Sequence, residues 1–314
     1  MDMGETVFNR KGVKELKRSI NDLQNDRAVE LAGGLAKQLD VLHSMDFFPS
    51  KEVEGLLLKQ KQFEYDQIGK KINFPQGVIQ FSPSSANKCE RELYFKAKRG
   101  AKDDVVKLPF QKRWTRNSSQ IHEATQRDLL YCEQLVPDRT FDVCRLANNG
   151  LPAWEKNIQK MKKFNVNGVE FLLFGMCDGL LKHRVDASVV GFEYKTKSTT
   201  YSAISYFKLK EPQADHKAQA VAYSLLYGVD EFVFCYETVA KPPWKTTAEE
   251  TAKKPDIRTF YLKVTEEDRQ ALLSRFERVA TQFYNNQIPA KEEDKCIFCQ
   301  FKTLCKKVDE EGAE

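Results

Sequence analysis

The sequence predicts an α/β fold, because strand-like and helical segments alternate along most of the chain. The clearest strands are the apolar runs at residues 169–181 and 229–236, and residues 213–227 between them have helical periodicity. The 314 residues are 41% hydrophobic and 30% charged, an ordinary balance for a globular protein. No apolar stretch approaches the ~20 residues of a membrane span, and the start of the sequence lacks a signal-peptide core. A cytoplasmic location is therefore predicted.

Residues 1–75 have helical periodicity and no pattern that indicates chemistry. Their helices are predicted at 13–31, 35–45 and 50–61. Gly33 and Gly34 predict a break after the first helix. We therefore expect a helical N-terminal region over 1–75, and the sequence leaves open whether it covers a functional site or binds a protein partner.

Residues 76–307 are predicted to form the functional domain, followed by an acidic tail at 308–314. Residues 135–160 have no clear pattern, and 241–255 are predicted to be a surface excursion because they hold three prolines and many polar residues. The remaining predicted elements are strands at 78–81 and 258–264 and helices after Cys89, at 117–133 and at 266–285.

The functional prediction centres on a β-hairpin formed by residues 169–181 and 189–195 around a polar bend. Side chains two apart in a strand share a face, so Glu193 and Lys195 point the same way. Pairing around the bend brings Asp178 close to Glu193. Two carboxylates and an ammonium group would then converge at the end of an apolar sheet.

Like charges held that close favour a cation between them, and Mg²⁺ and Mn²⁺ take such oxygen ligands. His122, in the predicted helix at 117–133, would add an imidazole nitrogen, which favours Mn²⁺. The alternatives are a solvated hairpin that carries Glu-x-Lys without binding a metal, and a surface or capping histidine.

The helix at 213–227 places Gln219 and Tyr223 on one face, with His216 one turn earlier on the same side. If this polar pair faces the sheet, it needs hydrogen-bond partners, and a phosphate or a metal-bound water would serve. A wet polar side of an amphipathic helix is the alternative.

Cys296, Cys299 and Cys305 form the sharpest pattern in the chain. C-x2-C spacing lets two thiolates bind one metal centre, and a tetrahedral site or an iron–sulfur cubane needs a fourth ligand. Among the five remaining cysteines, Cys89 is the candidate because it lies in a polar segment, whereas the other four (Cys132, Cys144, Cys177 and Cys235) have apolar or strand-like settings. Disulfides are not expected in a reducing compartment. A three-cysteine zinc site completed by water or a histidine is the alternative.

A basic segment at 88–116 interleaves cations with aromatic residues. Between Asn87 and Asn117 there are ten Lys or Arg and four Asp or Glu. Cations neutralise phosphates and aromatic rings stack on bases, which suits single-stranded DNA. A solvated helix face is the alternative. The candidate DNA contacts are Arg91, Tyr94, Arg113, Trp114 and Arg116.

Taken in order, these residues resemble the iron–sulfur members of the RecB-like branch of the PD-(D/E)xK nucleases, such as the CRISPR-associated RecB-like exonucleases and the AddB-type recombination nucleases. The motifs are Cys89, His122, Asp178, Glu193-Tyr194-Lys195, Gln219-x3-Tyr223 and Cys296-x2-Cys299-x5-Cys305. The resemblance covers residues 82–307. It departs from the superfamily's name at Cys177, which stands where Pro is expected.

The resemblance implies a restriction-endonuclease-like core, with a mixed central β-sheet flanked by helices. It also implies residue roles. The metal ligands would be His122, Asp178, Glu193 and the Tyr194 carbonyl, the catalytic set would be Asp178, Glu193, Lys195, Gln219 and Tyr223, and the ligands of a [4Fe-4S] cluster would be Cys89, Cys296, Cys299 and Cys305.

The implied activity is Mg²⁺- or Mn²⁺-dependent hydrolysis of DNA, by an exonuclease acting on single strands or free ends. Its setting would be recombination, repair, replication or CRISPR adaptation. A different class of function stays open: a non-catalytic DNA-binding or assembly protein on a nuclease-like fold, fastened by a zinc or iron–sulfur site.

Overall fold

The computed structural model describes residues 25–197 and 200–311. The predicted structure of residues 1–24 and the last three residues of the predicted tail lie outside these ranges. The helices are α1 (Gly34–His43), α2 (Lys51–Gln67), α3 (Glu90–Ala97), α4 (Pro109–Leu135), α5 (Ala214–Tyr227), α6 (Ala248–Lys253), α7 (Glu266–Tyr284) and α8 (Lys302–Glu311). The strands are β1 (Gln80–Phe81), β2 (Phe141–Val143), β3 (Lys160–Val166), β4 (Val169–Gly175), β5 (Gly179–His183), β6 (Val189–Lys197), β7 (Glu231–Thr238) and β8 (Ile257–Lys263).

The strands form two mixed sheets. The smaller has the order β1-β4-β3, with β1 parallel and β3 antiparallel to β4. The larger has the order β2-β5-β6-β7-β8, in which β6 and β7 are the parallel pair and α5 lies in the crossover between them. The predicted mixed α/β architecture flanked by helices is confirmed.

Helices cover both faces of the larger sheet. Along β7, Phe232 and Phe234 pack with α5 and α7, whereas Val233 and Cys235 pack with α1 and α4. This alternation is what a strand buried on both sides requires. Leu35 and Leu39 of α1 are fully buried in the same cluster as Val233, so the described part of the N-terminal region shares its core with the sheet.

The apolar run at 169–181 is not one strand, and that part of the hairpin prediction is wrong. It breaks between Gly175 and Gly179, so that β4 pairs with β3 in one sheet and β5 pairs with β6 in the other. Both strands carry buried side chains and Cys177 in the break is fully buried, so the hydrophobic pattern continues across it. The hairpin around the polar bend is β5–β6, and Asp178 directly precedes it.

Three other predictions are corrected. Gly33 and Gly34 do not end a helix, because a π-helical turn at Val29–Gly33 leads straight into α1. A Cβ at Gly34 would lie 2.2 Å from Thr140 Oγ1, so this glycine permits close packing instead. The helix predicted at 117–133 begins at Pro109, and the patternless 135–160 segment contains β2. Within the described ranges, no helix has the length and apolar character needed to cross a bilayer.

Candidate active site

The candidate site lies where β6 extends beyond β5. Gly179, the first residue of β5, pairs with Phe192, so Asp178 lies beside the next residues of β6. The backbone N–H of Tyr194 donates a hydrogen bond to Asp178 Oδ2 over 2.8 Å. The N–H and C=O of a strand residue face the same neighbour, so the Tyr194 carbonyl points toward this edge as well. The predicted approach of Asp178 to the Glu193 region is found.

Glu193 and Lys195 share the face of β6 that looks toward α5. Glu193 is fully buried, and its Oε1 accepts a hydrogen bond from Lys195 Nζ. Lys195 Nζ also donates to Gln219 Oε1 over 3.2 Å. Gln219 Nε2 in turn donates to the Tyr223 hydroxyl over 2.8 Å. The i,i+4 pair on α5 therefore faces the sheet and is not the wet side of an amphipathic helix, and its partner is Lys195.

Burial and like charge dominate the electrostatics of the site. Burial, followed by the Asp178 carboxylate, raises the pKa of Glu193 to about 8, although Lys195 opposes this shift. Burial alone would lower the pKa of Lys195, but the Glu193 and Asp178 carboxylates outweigh it and raise that pKa. A further cation beside the two carboxylates would favour their ionised forms.

His122 approaches the same edge from α4, on the opposite side of the sheet. Its ring stacks on Tyr194 with centroids 5.5 Å apart and planes 5° from parallel. Its Nε2 lies 3.8 Å from Asp178 Oδ2, and its Nδ1 lies 3.3 Å from Glu155 Oε1. Because α4 begins at Pro109, His122 is inside the helix and not near its start, and its side chain is only 18% exposed. A surface or capping role does not fit this position.

His216 does not join this group, contrary to the shared face expected from its position on α5. Its Nδ1 lies 2.6 Å from the Tyr236 hydroxyl, whereas Gln219 contacts Lys195. Burial, followed by the charge of Lys195, lowers the pKa of His216 to about 4. A neutral His216 therefore packs against β7.

The donor atoms fit a hard divalent ion in their chemistry. Glu193 Oε2 and His122 Nε2 are buried without a hydrogen-bond partner among the described residues. Buried polar atoms are normally paired, so these two are available to a ligand. Nowhere in residues 25–197 and 200–311 are three or more His, Cys, Asp or Glu side chains already arranged to hold a metal ion.

Glu155 also belongs to this edge, although it was not among the predicted site residues. It has a left-handed backbone conformation, with φ of 42°, and its N–H donates to the Cys177 carbonyl over 2.8 Å. Such a conformation is uncommon outside Gly, Asn and Asp. Glu155 lies in the patternless segment, and no motif marked it.

Cys89, Cys296, Cys299 and Cys305 line one cavity of about 180 Å³, which we call the cysteine cavity. Cys89 directly precedes α3, and the other three lie in or before α8. Backbone N–H groups of Glu292 and Phe301 donate to the sulfurs of Cys89 and Cys299 over 3.5 and 3.4 Å. Arg91 Nη1 donates to Cys305 Sγ over 3.3 Å.

Charges of both signs line the cysteine cavity, with Glu92 and Asp309 beside the cations, and burial raises the pKa of the Cys299 thiol. Besides Arg91, four lysines line it: Lys291, Lys295, Lys302 and Lys306. All eight cysteines are free thiols. Cys132, Cys177 and Cys235 are fully buried, as predicted for small core residues, whereas Cys144 is half-buried.

The basic segment divides into a buried and an exposed part. Arg91 contacts Pro289, Cys305 and Asp309, and Tyr94 is only 7% exposed. The prediction that these two residues bind DNA is therefore wrong. The reason is that α3 packs under the C-terminal segment. The first half of α4 is open to solvent. There Trp114 is 50% exposed beside Phe110, and Arg113 and Arg116 are exposed.

Three solved structures are similar to the chain. SSO0001 is 14% identical, with a TM-score of 0.38, and the match covers 82% of this chain and 98% of that one. The alkaline exonuclease LHK-Exo from Laribacter hongkongensis is 8% identical, with a TM-score of 0.40 and coverages of 74% and 95%. A phage-related exonuclease from Haemophilus somnus 129PT is 12% identical, with a TM-score of 0.36 and coverages of 67% and 95%. No curated protein matches the sequence.

A family model for the PD-(D/E)XK nuclease superfamily matches residues 92–306. The match spans the β5–β6 hairpin, α5 and the three C-terminal cysteines, and it covers well over half of the chain. The chain belongs to the PD-(D/E)XK nuclease superfamily.

Proposed function

We propose that the protein is a divalent-metal-dependent DNA nuclease of the RecB-like branch, acting as an exonuclease on single-stranded or end-containing DNA. The observation that carries the proposal is the convergence of Asp178, Glu193 and Lys195 at the edge of β6, linked by hydrogen bonds to Gln219 and Tyr223. Membership of a nuclease superfamily supports it.

Asp178, Glu193, His122 and the Tyr194 carbonyl would hold Mg²⁺ or Mn²⁺. The bound ion would supply Lewis-acid polarisation of the scissile phosphate and a lowered pKa of bound water. Lys195 would orient the attacking water or offset negative charge that develops on the phosphoryl oxygens. Gln219, braced by Tyr223, holds the Lys195 ammonium in position for this role.

The exposed half of α4 supports a single-stranded substrate. Arg116 and Arg113 precede His122 by six and nine residues on the same helix, about 9–14 Å at 1.5 Å per residue. At about 100° per residue, Arg113 lies on the opposite side of α4 from His122 and Arg116 about 120° away, so a strand with a base on Trp114 would cross the helix to reach the site. Arg113, Trp114 and Arg116 are the proposed DNA contacts.

We propose a [4Fe-4S] cluster in the cysteine cavity, held by its four thiolates. Hydrogen bonds to three of the sulfurs, the nearby cations and the cavity support this assignment. The cluster would join α3 to the C-terminal segment and would not take part in hydrolysis. Anaerobically purified protein should be brown with broad absorbance near ~400 nm, whereas colourless protein with stoichiometric zinc would contradict the iron assignment.

The proposed unit is a nuclease domain over 76–307, with the N-terminal helices packed on its sheet and the protein in the cytoplasm. The nuclease test uses end-labelled linear and internally labelled circular single-stranded DNA with Mg²⁺ or Mn²⁺. Linear DNA should be degraded and circular DNA should resist. Asp178→Ala and Lys195→Ala should abolish degradation without unfolding the protein, and the exposed change Glu249→Ala should leave it intact.

Degradation that survives both active-site changes would contradict the site assignment. Binding of the same DNA without cleavage under either ion would instead identify a non-catalytic DNA-binding protein. Cleavage of circular DNA would contradict exonuclease action while leaving the nuclease assignment in place.

A further inference from the structure

The two ring nitrogens of His122 meet carboxylates on different sides. Nδ1 lies 3.3 Å from Glu155 Oε1, and Nε2 lies 3.8 Å from Asp178 Oδ2. Both are ion-pair distances longer than an ordinary N–H···O hydrogen bond, and the contact to Glu155 is the shorter by 0.5 Å. Nε2 is buried and has no hydrogen-bond partner among the described residues.

This asymmetry selects one tautomer of the neutral ring. A carboxylate accepts hydrogen bonds and cannot donate one, so Glu155 stabilises the form that carries its proton on Nδ1. The lone pair then lies on Nε2, the nitrogen that faces Asp178. Stacking on Tyr194 fixes the plane of the ring, so the lone pair also has a fixed direction.

Glu155 is itself held in place by the segment that carries Asp178. Its N–H donates to the carbonyl of Cys177, the residue before Asp178. The Asp178 carbonyl accepts a hydrogen bond from Gln126 Nε2 over 3.0 Å, and Gln126 lies one turn after His122 on α4. His122, Asp178 and Glu155 therefore form one connected unit.

We propose that Glu155 is a positioning residue that acts through His122, holding the proton on Nδ1 and presenting Nε2 to a divalent cation beside Asp178. Partners of this kind orient metal-binding histidines and raise their basicity. The cation-binding part of this inference rests on the proposed function, whereas the tautomer is a property of the protein alone.

The tautomer is tested first, on the full chain without metal. ¹⁵N-detected imidazole NMR, at a pH where the ring is neutral, should show the His122 proton on Nδ1 in the unmodified protein. The chain has four histidines, so loss of a signal in His122→Ala assigns it. In Glu155→Ala the Nδ1 preference should be lost, whereas Glu155→Gln should retain it because the amide oxygen can still accept. A proton on Nε2 in the unmodified protein would overturn the proposal.

Affinity for Mn²⁺, measured by the EPR signal of the free ion, tests the connection between the two residues. Glu155→Ala should weaken binding by about 10–100-fold, and Glu155→Gln by less. Added to His122→Ala, the Glu155→Ala change should have almost no further effect. An equal loss with and without His122 would make Glu155 a direct ligand and overturn the positioning role. Protein that binds no Mn²⁺ but has the Nδ1–H tautomer would contradict the proposed function and not the tautomer.

Discussion

The edge of β6 and the cysteine cavity are assembled in opposite ways. At the edge, Asp178, Glu193 and Lys195 lie within 18 residues of sequence on one hairpin, and strand register sets their separation. At the cavity, Cys89 meets thiols about 200 residues later, and side-chain contacts between helices hold the two parts together. The first site depends on local backbone pairing and the second on long-range docking.

The two sites contribute to the free energy of folding with opposite sign. The edge buries the Glu193 carboxylate beside Asp178, and Lys195 offsets only part of the cost, so this arrangement opposes folding in the absence of a metal ion. The cavity is surrounded by contacts that favour folding, including Arg91 with Asp309 and the Asp103 carboxylate, which accepts from the first backbone N–H groups of α8. We therefore expect changes at the edge to affect activity and changes at the cavity to affect stability.

Glu193→Gln should give the largest effect, a loss of DNA cleavage of about 100-fold or more, because it removes a charge beside the reacting phosphate. The same change should stabilise the metal-free protein at pH 8, because it removes the fully buried Glu193 carboxylate. Cleavage rates and thermal unfolding in a chelator measure the two effects. A variant that is less stable than the original protein and fully active would contradict the expectation that changes at the edge affect activity.

The unfolding temperature of the metal-free protein should depend on pH through the ionisation of Glu193. The folded-state pKa of Glu193 is raised from 4.5 to about 8, so the folded state holds this proton more tightly than the unfolded state. The stabilisation is complete below pH 4.5 and is lost as pH rises through about 8. Unfolding temperatures of the original protein should therefore fall over this range relative to Glu193→Gln. Parallel curves would contradict the buried charge.

Cys305→Ser should have the opposite signature. Loss of one thiolate should remove the proposed cluster and lower the unfolding temperature by about 5 °C or more, which corresponds to roughly 3 kcal/mol for a chain of this size. Cleavage per folded molecule should change little. Iron content and calorimetry measure these outcomes. Cys144→Ser, outside the cysteine cavity, is the control and should retain the iron.

Two arginines of the basic segment separate docking from substrate binding. Arg91→Ala should destabilise the protein by about 1–3 kcal/mol and leave DNA affinity unchanged, since its contacts are internal. Arg113→Ala should leave stability unchanged, weaken single-stranded DNA binding several-fold, and reduce the salt slope of affinity by about 0.7. Fluorescence anisotropy at several salt concentrations tests both. Equal loss of affinity in the two variants would contradict the division.

Tyr223→Phe should give the smallest effect, a loss of cleavage of about tenfold or less. The hydroxyl only braces Gln219, and the Gln219–Lys195 hydrogen bond does not depend on it. Steady-state kinetics should show the loss in kcat. A loss as large as that of Glu193→Gln would mean that Tyr223 contacts the reacting groups directly.

Sequence reasoning worked best where local geometry decides position. The two-residue period of a strand places Glu193 beside Lys195, and helical spacing places Gln219 beside Tyr223, so both pairs could be predicted. It failed where tertiary packing decides. Side chains are buried on both sides of the break between β4 and β5, so the hydrophobic pattern of the sequence continues across the break. A count of charges does not show that the Arg91 side chain contacts Cys305. Glu155 could not be found at all, since its role depends on a backbone turn next to a distant histidine.

The separation of the four thiols along the chain also determines when each of them is translated. At 5–20 residues per second, the ribosome reaches Cys305 on the order of 10–40 s after Cys89. During that interval Cys89 lacks the cysteines of the C-terminal segment, and the β5–β6 hairpin is complete about halfway through it. The proposed cluster would therefore be loaded late, after the edge of β6 has been translated.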